Sequence, residues 1–483
     1  MIKRHLLMIG REKEKLDLNA IYNSKKSELI VLYGRKGLGK TFLIEEAFKD
    51  KITFRHAALS PSFGYRPLLK EQLYCFYRSL LMHGLNNCKR PSNWFDAFLL
   101  LEKFLQSKDD GSRQVVFLDE LPWMDTPKSS FVRAFESFWN GWGSHRDNLM
   151  VIVSGSANSW IQNKLINNYG GLYNRLTYVI KLSPFNLNEC EQFYKSNNVG
   201  LSRYDIAQSY MIFGGIPYYM GYIKPELSLA QNIDNLFFNS HGVFKDEFNR
   251  LFSSMFSDSV AVKSIVKFLY TRNAGYTRKE IVEKVGIADG SILSSNLNAL
   301  VSSDFVAAYV PFGCGKRGLH YKLIDPFCIF YLHFLEGKSR LNNQFWQQNV
   351  TSPSLSSWRG FAFENVCFNH IDQIKFALGI PAVITESSAW SKRNGDEDGT
   401  QIDLLIKRND NIINMCEIKY YSDDFKVSKE YYKKIMGRQT LLSESISKKF
   451  VVHNTLITTF GLFKNEYSTI FTNVVTLDDL FRA

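Results

Sequence analysis

No apolar run in this 483-residue chain reaches the ~18 consecutive residues that a membrane-spanning helix needs. The apolar core of Met1–Gly10 is likewise too short for a secretory leader. A soluble, cytoplasmic protein with no membrane partner is therefore expected. Cysteine is sparse: Cys75, Cys88, Cys190, Cys314, Cys328, Cys367 and Cys416 lie far apart, with no C-x-x-C pair and no histidine at metal-binding spacing. That pattern excludes a disulfide framework and a structural zinc site, and leaves reduced, mostly buried thiols. There is no fixed-period repeat and no low-complexity segment. The net charge is +12, but Lys and Arg are spread along the chain instead of forming blocks. Charge is thus compatible with a polyanionic partner without identifying one. What the chain does have is a hydrophobic content of 45%, ample for several cores. Its length corresponds to about three domains at ~100–200 residues each.

The stretch that organises the rest is Leu29-Ile30-Val31-Leu32-Tyr33 running into Gly34-Arg35-Lys36-Gly37-Leu38-Gly39-Lys40-Thr41. An apolar β-branched run, a G-x-x-x-x-G-K-T loop and a following segment of helical periodicity, Phe42–Phe48, form the context in which this motif binds phosphate. The loop backbone turns its N–H groups towards phosphate oxygens, and the helix presents its positive dipole end to the same anion. Lys40 would neutralise the β- and γ-phosphates of ATP, and Thr41 would give its hydroxyl to Mg²⁺.

A second apolar strand, Gln114–Leu118, ends in Asp119-Glu120. In a parallel α/β sheet this end faces the phosphate crevice. Asp119 is placed to hold Mg²⁺ through water and Glu120 to orient or deprotonate an attacking water, which favours hydrolysis over simple binding. A third buried strand, Leu149–Val153, ends in Ser154-Gly155-Ser156-Ala157-Asn158. Ser156 or Asn158 could be a polar sensor of the γ-phosphate in an additional-strand ATPase. Ile52–Ala57 is a candidate strand, and Glu12–Tyr22 an amphipathic helix that would pack near the adenine.

The ordered set of phosphate loop, Leu118-Asp119-Glu120, Ser154-Gly155-Ser156, Gly171–Leu176, Leu182-Ser183-Pro184-Phe185 and Gly214–Tyr219 resembles the archaeal-type prokaryotic ATPases, of the STAND-related branch of AAA+ proteins. The resemblance covers roughly residues 5–340. It implies that Arg175 acts on the γ-phosphate, where a guanidinium suits developing phosphoryl charge. It also implies that Gly215-Ile216-Pro217 opens or braces a helical lid. Self-association through the ATPase domain is a further expectation.

From Val262 to about Phe330 three apolar-periodic segments and a hairpin with Lys316 and Arg317 at its tip read as a winged helix-turn-helix. Its third helix, Ser291–Leu300, carries no Lys or Arg, which argues for a packing module over a duplex reader. The polar stretch Gly337–Ser357 reads as a linker. Beyond it a helix with Glu364 precedes Gln401-Ile402-Asp403-Leu404-Leu405-Ile406, a turn at Asn409-Asp410-Asn411, and Ile412–Lys419. Alternation puts Glu417 and Lys419 on one strand face. Asp403, Glu417 and Glu364 could bind Mg²⁺, with Lys419 orienting water for phosphodiester hydrolysis. This resembles the PD-(D/E)XK nuclease fold, in which Gln439 matches a polar helper position, although Ile402 replaces the expected proline.

The sequence thus predicts an α/β protein. Residues 1–185 form a P-loop ATPase core, 186–255 a helical lid, 256–335 a winged helix, 336–357 a linker and 358–483 a restriction-endonuclease-like domain. The expected cofactors are ATP and Mg²⁺, and the expected nucleic-acid partner is DNA before RNA. A signalling or scaffold ATPase with a non-cleaving C-terminal domain, and an ATP-regulated DNA-binding regulator, are the alternatives.

Overall fold

The run Leu29–Tyr33 is apolar on both of its faces, which suits the interior of a parallel sheet. The computed structural model places it there. Strand β1 (Glu28–Tyr33) lies between β4 (Leu149–Gly155) and β5 (Tyr178–Lys181), with β3 (Gln114–Asp119) beyond β4 and β2 (Ile52–Ala57) at the edge. All neighbouring pairs are parallel. The structure describes residues 8–482 apart from 62–64, 87, 157, 168–169, 257, 315–317, 338–341 and 395–396; the side chains of 158, 391–394, 397–401 and 403 are also outside the description. Lys316 and Arg317, expected at the hairpin tip, therefore lie outside the described residues.

Strand alternation gives this sheet two different coats. Ile30, Leu32, Phe117 and Ile152 face Leu43 and Ile44 of the helix Lys40–Phe48. Leu29, Val31, Val116 and Val151 face an aromatic layer from the helices Leu69–Met82, Trp94–Ser107 and Phe131–Gly141, in which Phe98 and Phe138 stack at 5.2 Å. Insertion of β4 between the loop-bearing strand and the acidic strand is the additional-strand arrangement of P-loop ATPases. It brings the C-terminal ends of β1, β3 and β4 to one edge.

Helices Leu187–Ser196, Arg203–Phe213, Pro217–Met220, Leu229–Ile233 and Glu247–Met255 follow. Next come Ser259–Tyr270, Arg278–Val285 and Ser291–Ser302, with a small antiparallel sheet of β6 (Tyr276–Thr277), β8 (His320–Leu323) and β7 (Val306–Tyr309) in that order. Asn296 and Ala299 of the helix Ser291–Ser302 share a crevice with Ser159 and Trp160, so this helix lies against the unit built on the parallel sheet.

The stretch expected as a linker is built differently. It forms the helix Phe345–Asn349 and the start of the helix Pro353–Asn369, and Trp346, Leu355 and Trp358 are buried. The buried carboxylate of Asp234 accepts the Trp346 N–H at 2.7 Å and the Gln347 N–H at 3.1 Å. A few aromatic anchors override a polar composition, because burying one such ring outweighs several solvated neighbours. One hydrophobic core accordingly runs from Leu18 to Phe481.

The last sheet has the order β13 (Asn473–Thr476), β12 (Val451–Thr458), β11 (Ile412–Lys419), β10 (Glu397–Arg408), β9 (Thr385–Asn394). β9, β10 and β11 are antiparallel, and β11, β12 and β13 parallel. The helix Lys429–Ser445 covers one face with Ile435 and Leu442. Among the described residues no helix is long and apolar enough to cross a membrane.

His370 joins this C-terminal part to the helices before it. Its Nδ1 donates to the Val366 carbonyl at 2.7 Å, and its Nε2 accepts the Leu187 N–H at 3.0 Å. Burial lowers the imidazole from the ordinary 6.5 to about 4. The fold needs the neutral ring, so its contribution is complete above pH 6.5 and is lost as pH falls through about 4. The expected loss is about 3 kcal/mol over that window. Thermal melting of wild type and His370→Gln from pH 7 to 4 should show the gap between them narrowing; parallel curves would remove His370 as the linked group.

Candidate nucleotide site

Three strand ends build the site. β1 ends at Tyr33, and the loop after it turns into the helix Lys40–Phe48. Gly37 has φ +90°, and a Cβ there would lie 3.0 Å from Ile216 Cγ2. Both the turn and the close approach of the next region require glycine. Lys40 is 6% exposed, and its ammonium donates to the carbonyls of Gly34 (2.9 Å) and Arg35 (3.2 Å). Burial pulls its pKa below the usual lysine value, against the carboxylates of Glu120 and Asp119, which favour the charged form.

β3 delivers Asp119. Its Oδ2 accepts from Thr41 Oγ1 at 2.7 Å, and its Oδ1 accepts from the Ser154 hydroxyl and, at 3.1 Å, from the Glu120 N–H. A hydroxyl and a carboxylate in contact are hard oxygen donors of the kind that suit Mg²⁺. Glu120 has φ +53°, a left-handed conformation that non-glycine residues seldom adopt outside constrained sites. Ser156 at the end of β4 holds its carboxylate: Oε2 accepts from Ser156 Oγ at 2.8 Å and from the Ser156 N–H at 3.3 Å.

Glu120 and the loop from Lys36 to Thr41 border a cavity of about 560 Å³. Its other wall is mostly apolar, from Met8, Ile9, Phe185, Phe193, Pro217 and Tyr222, as a planar base requires. Arg11 lies 4.8 Å above Phe185 and donates to the Ser183 carbonyl at 2.7 Å. The wall residues Met8, Ile9 and Arg11 precede the helix Glu12–Tyr22, so the segment before that helix, and not the helix itself, lines the cavity. The helix Pro217–Met220 is tied to the loop by the Tyr218 N–H, 3.2 Å from the Gly37 carbonyl. Gly215 packs so tightly on Phe185 that a Cβ would lie 2.1 Å from the Phe185 carbonyl oxygen.

Of the residues predicted from sequence, Gly34, Lys36, Gly37, Leu38, Gly39, Lys40, Thr41, Asp119, Glu120 and Ser156 meet here. The side chain of Asn158 lies outside the described residues. Arg175 is exposed, in a turn before β5, and is absent from the cavity wall. Arg35 is a correction: its side chain, expected at the nucleotide, is 2% exposed and turned away, ion-paired with Asp325. Phe193 and Tyr222 were missed, because aromatics at helical spacing read as ordinary core.

Residues 8–223 match the model of a family described as an ATPase domain predominantly from Archaea. This part of the chain is similar to archaeal-type ATPase domains. An uncharacterized protein of Methanocaldococcus jannaschii is 22% identical over 459 residues, 92% of this chain and 94% of that one, so its likeness extends beyond the ATPase domain. Among solved structures, the Walker-type ATPase of Pyrococcus abyssi is similar at 15% identity and TM-score 0.46, over 68% of this chain and 96% of that one. The ORC2 protein of Aeropyrum pernix, solved as ADPNP–ADP complexes, is similar at 14% identity and TM-score 0.41, over 68% and 95%.

Beyond the ATPase domain, Glu417 and Lys419 do share a strand face, 2.9 Å apart. Two residues not expected join them from the helix Lys429–Ser445: Arg438 pairs with Glu417 at 2.6 Å, and the Tyr431 hydroxyl donates to it. Their separation of two helical turns in a basic segment was the available signal. Burial pushes the Glu417 carboxyl up, but Lys419 and Arg438 outweigh it and hold the pKa below the usual value. Glu364 accepts from Asn273 Nδ2 at 2.7 Å. Gln439 accepts from Asn454 Nδ2 at 2.9 Å. The Asp403 side chain lies outside the described residues, and among the described ones no three acidic, His or Cys side chains gather as a metal site.

Proposed function

We propose that the chain is a Mg²⁺-dependent ATP hydrolase of AAA+/STAND type, whose nucleotide state sets how residues 256–335 and the C-terminal domain are held against the ATPase domain. The observation that carries this reading is the joint placement of Lys40, Thr41, Asp119 and Glu120. Thr41 Oγ1 lies 2.7 Å from Asp119 Oδ2, and Glu120 is fixed beside them by Ser156. A site that only stores ATP has no use for the anchored Glu120; a site that cleaves it needs a base for water. Thr41 and Asp119 would hold Mg²⁺, which supplies charge neutralisation at the β- and γ-phosphates when bound. Lys40 offsets phosphate charge, the apolar wall seats the base, and the Glu120 carboxylate takes the proton of the attacking water. Arg175, exposed on the surface, would serve a γ-phosphate held by a second copy, which makes self-association through the ATPase domain part of the proposal.

Residues 256–335 have the element order of a winged helix, but the helix Ser291–Ser302 has no Lys or Arg and lies against Trp160. This supports a packing module over a duplex reader. A second reading, metal-dependent cleavage of DNA before RNA, is favoured by the order helix, β9, β10, β11, helix, β12, which is that of PD-(D/E)XK domains, and by Glu417 beside Lys419. In it Asp403, Glu417 and Glu364 would bind Mg²⁺ and Lys419 would orient water. The engagement of Glu417 by Arg438 and Tyr431 supports the non-cleaving switch instead. Cleavage of linear and circular DNA and of RNA in Mg²⁺, with and without ATP, by wild type, Lys40→Ala and Asp403→Ala separates the two. The switch reading expects ATP hydrolysis that needs Lys40 and no cleavage; cutting that disappears with Asp403→Ala would establish the nuclease.

A further inference from the structure

Arg35 belongs to the phosphate loop by sequence and to a different part of the molecule by contact. Its guanidinium is ion-paired to Asp325, and both side chains are 2% exposed. Asp325 also accepts the Cys328 N–H at 2.7 Å and so caps the helix Pro326–Phe334. The guanidinium lies 4.3 Å above the ring of Phe305. The Phe305 carbonyl in turn accepts the N–H groups of Ile324 (3.0 Å) and Asp325 (3.3 Å). Phe305 precedes β7 and Asp325 follows β8, so the ion pair fastens the base of that hairpin to the loop. A second contact runs beside it: Tyr219 stacks on Phe327 at 4.9 Å, next to the Tyr218 whose N–H holds the Gly37 carbonyl.

The main chain of Arg35 has a separate task. Its carbonyl accepts from the Lys40 ammonium at 3.2 Å. One residue therefore links the phosphate-binding lysine to a segment outside residues 8–223, the part that matches the ATPase family. Arg35 Nε and Nη2 have no hydrogen-bond partner among the described residues. Asp325 is thus what keeps a fully charged guanidinium in an apolar setting. Without that carboxylate the buried charge is uncompensated and moves towards water. The loop backbone moves with it, and the preorganised cradle that favours phosphate binding is lost.

We propose that Asp325 is a positioning residue for the nucleotide site. With Phe305 it holds Arg35, and through the main chain of Arg35 the phosphate loop, in its binding conformation. By thermodynamic reciprocity, nucleotide affinity and the docking of residues 305–334 are then linked. The inference rests on the reading of the loop as an ATP site.

The test measures ATP and ADP affinity by calorimetry on the full chain of wild type, Asp325→Asn and Asp325→Glu, together with hydrogen exchange of residues 320–334 in wild type with and without ATP. Asp325→Asn is expected to weaken nucleotide binding by about tenfold, Asp325→Glu to stay within about threefold of wild type, and ATP to slow exchange in wild type. Wild-type affinity in the Asn variant, equal weakening in both variants, or exchange indifferent to ATP would each overturn the linkage. If the Asn variant does not fold, the wild-type exchange experiment decides. Failure of wild type itself to bind nucleotide would instead remove the underlying ATP reading.

Discussion

Glu120→Gln should bind ATP as wild type does and hydrolyse it about 10²–10⁴-fold more slowly, the usual contribution of a positioned general base. The substitution keeps the size of the side chain and its ability to accept from Ser156 Oγ, now 2.8 Å from Oε2, but it removes the group that takes a proton. The backbone at φ +53° is retained, so the neighbouring Asp119 and Thr41 stay in contact. Single-turnover hydrolysis and equilibrium binding measured on the same preparation separate the two effects. Turnover within about threefold of wild type would mean that another group activates water, and the proposed mechanism would lose its base.

Lys40→Ala should weaken nucleotide binding by roughly 100-fold or more, corresponding to about 3 kcal/mol for a desolvated charge contact. The side chain is 6% exposed and already surrounded by the carbonyls of Gly34 and Arg35. A buried ammonium of this kind is costly to desolvate and strongly attracted to an anion that reaches it, because screening by water is weak there. Hydrolysis should disappear with binding. Calorimetric titration with ATP and ADP checks the expectation, and unchanged affinity would show that the loop does not carry the phosphates. The melting temperature should change less than the affinity, since among the described residues the ammonium's hydrogen bonds go to the two loop carbonyls of Gly34 and Arg35.

The nucleotide site was legible in the sequence because its chemistry is written in short, contiguous pieces. The loop Gly34–Thr41, the end of β3 at Asp119 and Glu120, and the end of β4 at Ser156 each follow from an apolar run that must be buried and a polar terminus that must then emerge at the sheet edge. Local alternation likewise set Glu417 and Lys419 on one face. The apolar wall of the cavity was less legible, because Phe193 and Tyr222 carry no signal that separates a ligand wall from a core.

Tertiary structure decided what depends on partners distant in the chain. Arg35 looks like part of the phosphate grip until Asp325 and Phe305 fold against it. Residues 336–357 look like a linker until Trp346 meets the carboxylate of Asp234 through its backbone N–H and the shared core through its ring. Glu417 looks like a free ligand until Arg438 and Tyr431 arrive from another helix. Main-chain geometry and hydrophobic period act over a few residues and are therefore determined by the sequence directly. The pairing of buried charges and the sharing of one core among distant segments are satisfied only when the whole chain has chosen its neighbours.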